Sequence, residues 1–267
     1  MNWILDIIDE HESYLRDNAG PVLAAHFLGN PLAGNSLYVD PVSAFVTALL
    51  PLVKEKTDLV LKEIEHEPSD LFSSHLSRFI GQLMIWDDSV RKKYKYDGGN
   101  TEVGWTGVTW HVLEKWFDPW VEVEERFALQ RYEEIMQAPD NGLIDYDSNE
   151  LRKTKTTFGA TKVTDLLKTI TAQYKDLLKV SHKIRFFLHA QISVLDRYQI
   201  RLADSLEAYI SLTSTVGRTL KGYTKEQQQS VEGMAGLVSL CKVFGSADHI
   251  VSTLESLSNE TVSITAI

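Results

Sequence analysis

The chain has 267 residues, 43% of them hydrophobic, which suffices for one large domain or two small ones and argues against a disordered chain. Its net charge of −10 is unevenly spread: −6 over residues 1–100, −9 over 101–150, +8 over 151–222 and −3 over the rest. The acidic total argues against a dedicated nucleic-acid binder, which must neutralise phosphates; the basic section suits an acidic partner, an anionic membrane surface or simply a solvated lysine face.

Helix is predicted nearly throughout. Residues 1 to about 18 form a short amphipathic helix, and Gly20 to Asp40 is rich in turn signals such as Gly29-Asn30-Pro31 and Gly34-Asn35. A helix follows from Pro41 to about Ile64, kinked or divided at Pro51. Pro68 to Tyr96 carries a stripe of Phe72, Leu76, Phe79, Leu83, Trp86 and Val90, stepping by four and three. Gly98-Gly99-Asn100 ends that helix, and a loop runs to Gly107. Val108 to about Ala138 is helical, with a new start possible at Asp118-Pro119. Pro139 to Ser148 is a polar connection and the predicted domain boundary.

Val163, Leu167, Ile170, Tyr174 and Leu177 form another heptad stripe. A long helix from about Ser181 to Tyr209 carries Leu188, Ile192, Leu195, Leu202, Leu206 and Tyr209, a seam for packing against other helices. Thr224 and Gln227 match a capping box that starts a helix at Lys225, and Glu260 to Ile267 is expected to fray. The longest apolar-looking run, Val42 to Val53, is too short to span a bilayer, so membrane association is expected through partners or the surface, without direct insertion. The single cysteine, Cys241, allows no intramolecular disulfide; with no secretory signal, this points to a reducing compartment.

No catalytic, cofactor or metal residues are assigned. Glu63 and His66 have the Glu-x-x-His spacing of di-iron bundles, but no other histidine has Glu three places before it; a solvated helix end is expected. Asp87-Asp88 resembles the aspartate-rich motif of helical terpene synthases, but Arg91 stands where a third carboxylate is needed, so a polar helix face is expected. Gly217 and Gly222 have phosphate-loop spacing with Tyr223 in place of lysine. Cys241 is expected to be a buried, inert thiol. Among the clustered tryptophans, Trp105 in the loop is the candidate exposed anchor for a partner, while Trp116 and Trp120 share a core stripe with Leu113, Val123 and Phe127.

Trp116-Phe117-Asp118-Pro119-Trp120-Val121-Glu122-Val123-Glu124-Glu125-Arg126-Phe127-Ala128 is a tryptophan-rich segment running into a Glu-Arg pair. A helix from Lys162 to Leu177 ends in Thr171, Tyr174 and Lys175, and Phe187, Leu188, Gln191, Leu195, Asp196, Tyr198, Arg201 and Leu202 follow. The region of His75, Phe79 and Asp87 fits more loosely. In order and spacing these resemble the Rad-interactor/TIP-type subunit of the Dsl (NRZ) vesicle-tethering complex, over about residues 60–250. The resemblance implies a rod of stacked helical bundles, cytosolic and peripheral on the endoplasmic reticulum. Such subunits capture Golgi-derived vesicles in retrograde transport, with other tether subunits and SNARE proteins, and have no catalytic residues. Members are much longer, so this chain looks like an internal piece.

The reading is thus an all-α, elongated rod of two bundles, residues 1–140 and 149–267, with no enzyme activity, cofactor, small-molecule substrate or nucleic acid. Lys153, Lys155 and Lys162 in the basic section are the first candidates to meet an acidic helical partner, with Trp105 as a further contact. The alternatives are a helical adaptor unrelated to trafficking and an all-α enzyme.

Overall fold

Apart from one isolated bridge, Ile144 to Thr157, regular structure among the described residues is helical, as the periodicity predicts. The computed structural model describes residues 2–146, 154–214 and 233–265. The predicted capping box at 224–227 and the Gly217–Tyr223 segment lie outside these.

The chain divides into two compact units, Met1–Val123 and Glu124–Ile267. The division falls within a helix rather than at the polar connection after residue 140. That connection is tied into the second unit by its own backbone: the amides of Asp145, Phe158 and Gly159 donate to the carbonyls of Thr156, Leu143 and Asn141 at 2.9, 3.0 and 2.9 Å.

In the first unit, α1 (Asn2–Tyr14) passes through a π turn at Leu15–Ala19 into α2 (Gly20–His26). The turn-rich stretch then folds as a 3-10 turn and a short α3 (Ser36–Val39). Asp40 starts α4 (Pro41–Glu65): its carboxylate accepts from the Ser43 amide at 2.8 Å, and Pro41 fills the first helical position, where no N–H is needed. Pro51 stays inside α4, exposed, without dividing it. On α5 (Ser69–Tyr94), Leu76, Leu83, Trp86 and Val90 of the predicted stripe are buried with Ile80, and Phe72 and Phe79 are half-buried. They face Val42, Val46, Val53 and Leu61 of α4 and Ile4 and Ile8 of α1 in the core.

The helix α6 (Val108–Gln137) runs through Pro119, so no new helix starts at Asp118. An interior proline costs roughly 3 kcal/mol. Burial of Val112, Leu113, Trp116 and Phe117 before it and of Trp120, Val121 and Val123 after it holds both sides on one axis.

In the second unit, Thr157 caps α7 (Phe158–Tyr174) by accepting from the Ala160 amide at 3.2 Å. All five residues of the predicted stripe, Val163 to Leu177, are buried. The next helix departs from the expectation. It comprises α8 (Val180–Phe186), a π turn at Phe187–Ile192 and α9 (Ser193–Thr213). Its buried residues are Phe186, Ala190, Gln191, Val194 and Tyr198; of the predicted seam, Ile192, Leu195, Leu202 and Tyr209 are half-buried and Leu188 and Leu206 point to solvent. A π turn carries more residues than an α turn, so counting heptads through it loses phase. Finally, α10 (Gly233–Thr265) packs on α7 and α9. It continues from Glu260 to Thr265, within the stretch expected to fray, because each further residue adds a hydrogen bond and neither Gly nor Pro interrupts it after Gly245.

Candidate interaction surfaces

Trp105 is half-buried, not an exposed anchor. Its ring meets Tyr96 and Trp86 edge-on at 5.1 and 6.0 Å, and the Arg91 guanidinium lies 5.6 Å from its centroid. Arg91 also donates to the carbonyls of Trp105 and Thr106 at 2.9 and 3.0 Å. Asp87, expected on a polar helix face, is buried: its carboxylate accepts from the amides of Val108 and Thr109 at 2.9 and 2.8 Å. Burial pushes its pKa up, against the pull of those donors and Arg91. The Asp87–Arg91 pair thus pins the 95–107 loop and caps α6 from α5. The i, i+4 spacing that defeats the diphosphate motif serves this purpose.

The other candidate residues also have structural partners. Lys162 donates to both carboxylate oxygens of Asp140 at 2.8 and 2.9 Å and depresses that carboxyl's pKa. Lys155 is half-buried, with its carbonyl against Gly245 of α10. Lys153 lies outside the described residues.

His66 turns its ring to its own helix, Nδ1 lying 2.6 Å from the Lys62 carbonyl, and among the described residues no cluster of three potential ligands forms. In the second unit, a groove of about 190 Å³ lies between α7, α9 and α10, with Tyr198, Arg201, Lys242 and Ser246 on its walls. That is smaller than the roughly 300–1,000 Å³ of common small-molecule sites.

Surface chemistry sits elsewhere. On α10 the packed residues are mostly small or polar: Gly236, Gly245, Ser246, Ile250 and Thr253 are buried. Met234, Leu237, Val238, Phe244 and Val251 face outward. Cys241 is also exposed, correcting the expectation of a buried thiol, because it lies on this outer face. Gly233–Asn259 is long and apolar enough to cross a membrane by length and composition, and only 22% of its most apolar window is buried. A search for the longest apolar run, which finds Val42–Val53, passes it over because polar residues such as Ser239, Lys242, Ser246 and Asp248 interrupt it. A second outward apolar group lies on α8, beside lysines.

The RINT-1/TIP-1 family model matches residues 1–265. The chain belongs to the RINT-1/TIP-1 family. A RINT1-like protein from Drosophila melanogaster is 24% identical over 161 residues, covering 59% of this chain and 20% of the relative. The chain thus spans about a fifth of that relative's length. No solved structure matches. The segments that carry the RINT-1/TIP-1 likeness supply much of the core: Trp116, Phe117, Trp120, Tyr174, Gln191 and Tyr198 are all buried. The family pattern therefore reports in part how the helices pack, and it also includes the exposed Phe187 and Leu188.

Proposed function

We propose that this chain is a non-catalytic part of a vesicle-tethering subunit, acting in Golgi-to-endoplasmic-reticulum transport through contacts with other tether subunits and SNARE proteins. The family match across residues 1–265 carries the reading. The all-α architecture supports it, since helical faces bind other helices through i, i+3 and i+4 anchors. On this reading the protein is cytosolic and peripheral on the endoplasmic reticulum, and its helical faces bind the partners. The basic 151–222 section meets an acidic helical partner, with Lys153 and Lys155 as first contacts. Lys162 is a weaker candidate because Asp140 already holds its ammonium.

The test is an affinity capture from cytosol plus detergent-solubilised endoplasmic reticulum, read by mass spectrometry. Tether subunits or resident SNAREs should be recovered, and Lys153→Glu with Lys155→Glu should reduce the yield. A folded, monodisperse chain that recovers neither class, in this form and as the full-length gene product, overturns the proposal. Undiminished capture by the double variant removes the two lysines from it.

A further inference from the structure

The helix that begins at Val180 turns an apolar face outward. Of the seven residues of α8, only Phe186 is buried. Val180 is 64% exposed, Ile184 53% and Leu188 52%, with Leu178 and Phe187 also exposed. Val180, Ile184 and Leu188 are four apart, so they share one side of the helix. Between residues 175 and 189, Lys175, Lys179, Lys183 and Arg185 stand against one acid, Asp176. Lys175, Lys179 and Arg185 are exposed and Lys183 is half-buried.

A surface helix normally turns its apolar stripe to the core. The inversion here has a local cause. Counting back seven residues from buried Val194 along an unbroken α-helix reaches Phe187, not Phe186. The π turn at Phe187–Ile192 shifts that phase, so Phe186 is buried instead. The turn is held by buried Gln191, whose amide oxygen accepts from the Tyr174 hydroxyl at 2.6 Å. The core thus specifies a phase that leaves Phe187 and Leu188 outside.

We propose that Leu178–Leu188 is a membrane-surface anchor. It lays Val180, Ile184, Phe187 and Leu188 into the interface of an anionic bilayer while the flanking lysines and Arg185 meet lipid phosphates. Basic residues bordering an apolar helical face are the chemistry of interfacial helices. This section is also the only strongly basic part of a chain with net charge −10, so it is the part an anionic surface attracts. A bilayer fits better than a partner helix. Partner helices seat in grooves between elements, whereas α8 buries only Phe186 fully and leaves Val180, Ser181, Ile184 and Arg185 exposed. The proposal stands apart from the tether reading.

The test is flotation of the 267-residue chain with vesicles of phosphatidylcholine alone and of phosphatidylcholine with phosphatidylserine. Binding is expected on the anionic vesicles only, weakening with salt. Ile184→Asp with Leu188→Asp, and separately Lys179→Glu with Lys183→Glu, should each weaken it by about tenfold or more, with unchanged circular dichroism. An environment-sensitive dye on Ile184→Cys, in a Cys241→Ser background, should brighten on anionic vesicles. No flotation with anionic vesicles, or equal flotation of the aspartate variant, overturns the proposal. So does Ile184-dependent binding of an acidic helical peptide by a chain that ignores vesicles; that result gives the face to a protein partner.

Discussion

The carboxylate of Asp87 closes the start of α6 from the neighbouring helix, and the backbone is shaped to admit it. Gly107 has φ +92°, and a Cβ there would lie 2.2 Å from Asp87 Oδ2. Only glycine meets both demands, positive φ and no side chain. Asp87→Ala removes the acceptor for two amides and the partner of Arg91. It should cost about 2 kcal/mol in urea unfolding followed by tryptophan fluorescence. Asp87→Asn should cost less. Because burial raises the carboxyl's pKa, stability from this group falls as pH rises through the folded pKa; the Asn amide escapes that desolvation penalty and keeps one acceptor oxygen, while its NH2 forfeits the bond to the other backbone amide. Gly107→Ala should also cost roughly 2 kcal/mol or more, since the clash and the positive φ add. Equal stability of all three variants would remove the latch from the account. The sequence shows Asp87 as one of two adjacent acids on a helix; its role depends on a loop 20 residues away, which no local pattern records.

At the scale of elements, legibility follows regularity. The α5 and α7 stripes were readable because both helices keep the α period, so Leu76, Leu83, Trp86 and Val90 of the first and Val163 to Tyr174 of the second are buried as the spacing predicts, with Phe72 and Phe79 half-buried. The 180–213 helix was not, because its phase depends on the π turn, and that turn depends on Tyr174 reaching Gln191 from another helix. Tyr174→Phe leaves a buried amide oxygen without its short donor and should cost about 1–2 kcal/mol, measured by urea midpoint. An unchanged midpoint would mean that the turn holds without this bond. The packing of α10 on α7 has its own signature. His249 Nε2 lies 3.1 Å from Thr164 Oγ, and burial first, then Lys168, hold its pKa below the usual 6.5; Asp165, Asp145 and Asp248 oppose. The unfolded chain therefore takes up this proton first. The stability that His249 contributes is complete above about pH 6.5 and is lost as pH falls toward the folded pKa. Thermal midpoints should drop between pH 7.5 and about 5.5, and His249→Gln should flatten that slope. An unchanged slope would place the pH response elsewhere.

For the whole molecule, the outer face of α10 is the feature that composition hides. An apolar fraction of 43% is ordinary and does not say which side of a helix the apolar residues take. Here α10 turns Gly245 and Ser246 inward. A Cβ at Gly245 would lie 2.0 Å from the Lys155 carbonyl, so close backbone approach demands the small residue. Thr157 and Ser246 hydroxyls meet across the same contact at 3.0 Å. The small, hydrogen-bonding side is thereby committed to the fold, and Leu237, Phe244 and Val251 are left to solvent. An apolar stripe of this kind on an isolated chain favours self-association. The 267-residue protein should therefore sediment above its monomer mass at micromolar concentrations. Leu237→Ser, Phe244→Ser and Val251→Ser together should restore the monomer while leaving the melting temperature nearly unchanged, because none of these side chains contributes to the core. A variant that melts early would show that the stripe is packed in solution; one that associates as before would place the adhesive surface elsewhere, with the α8 face the next to test by Ile184→Asp.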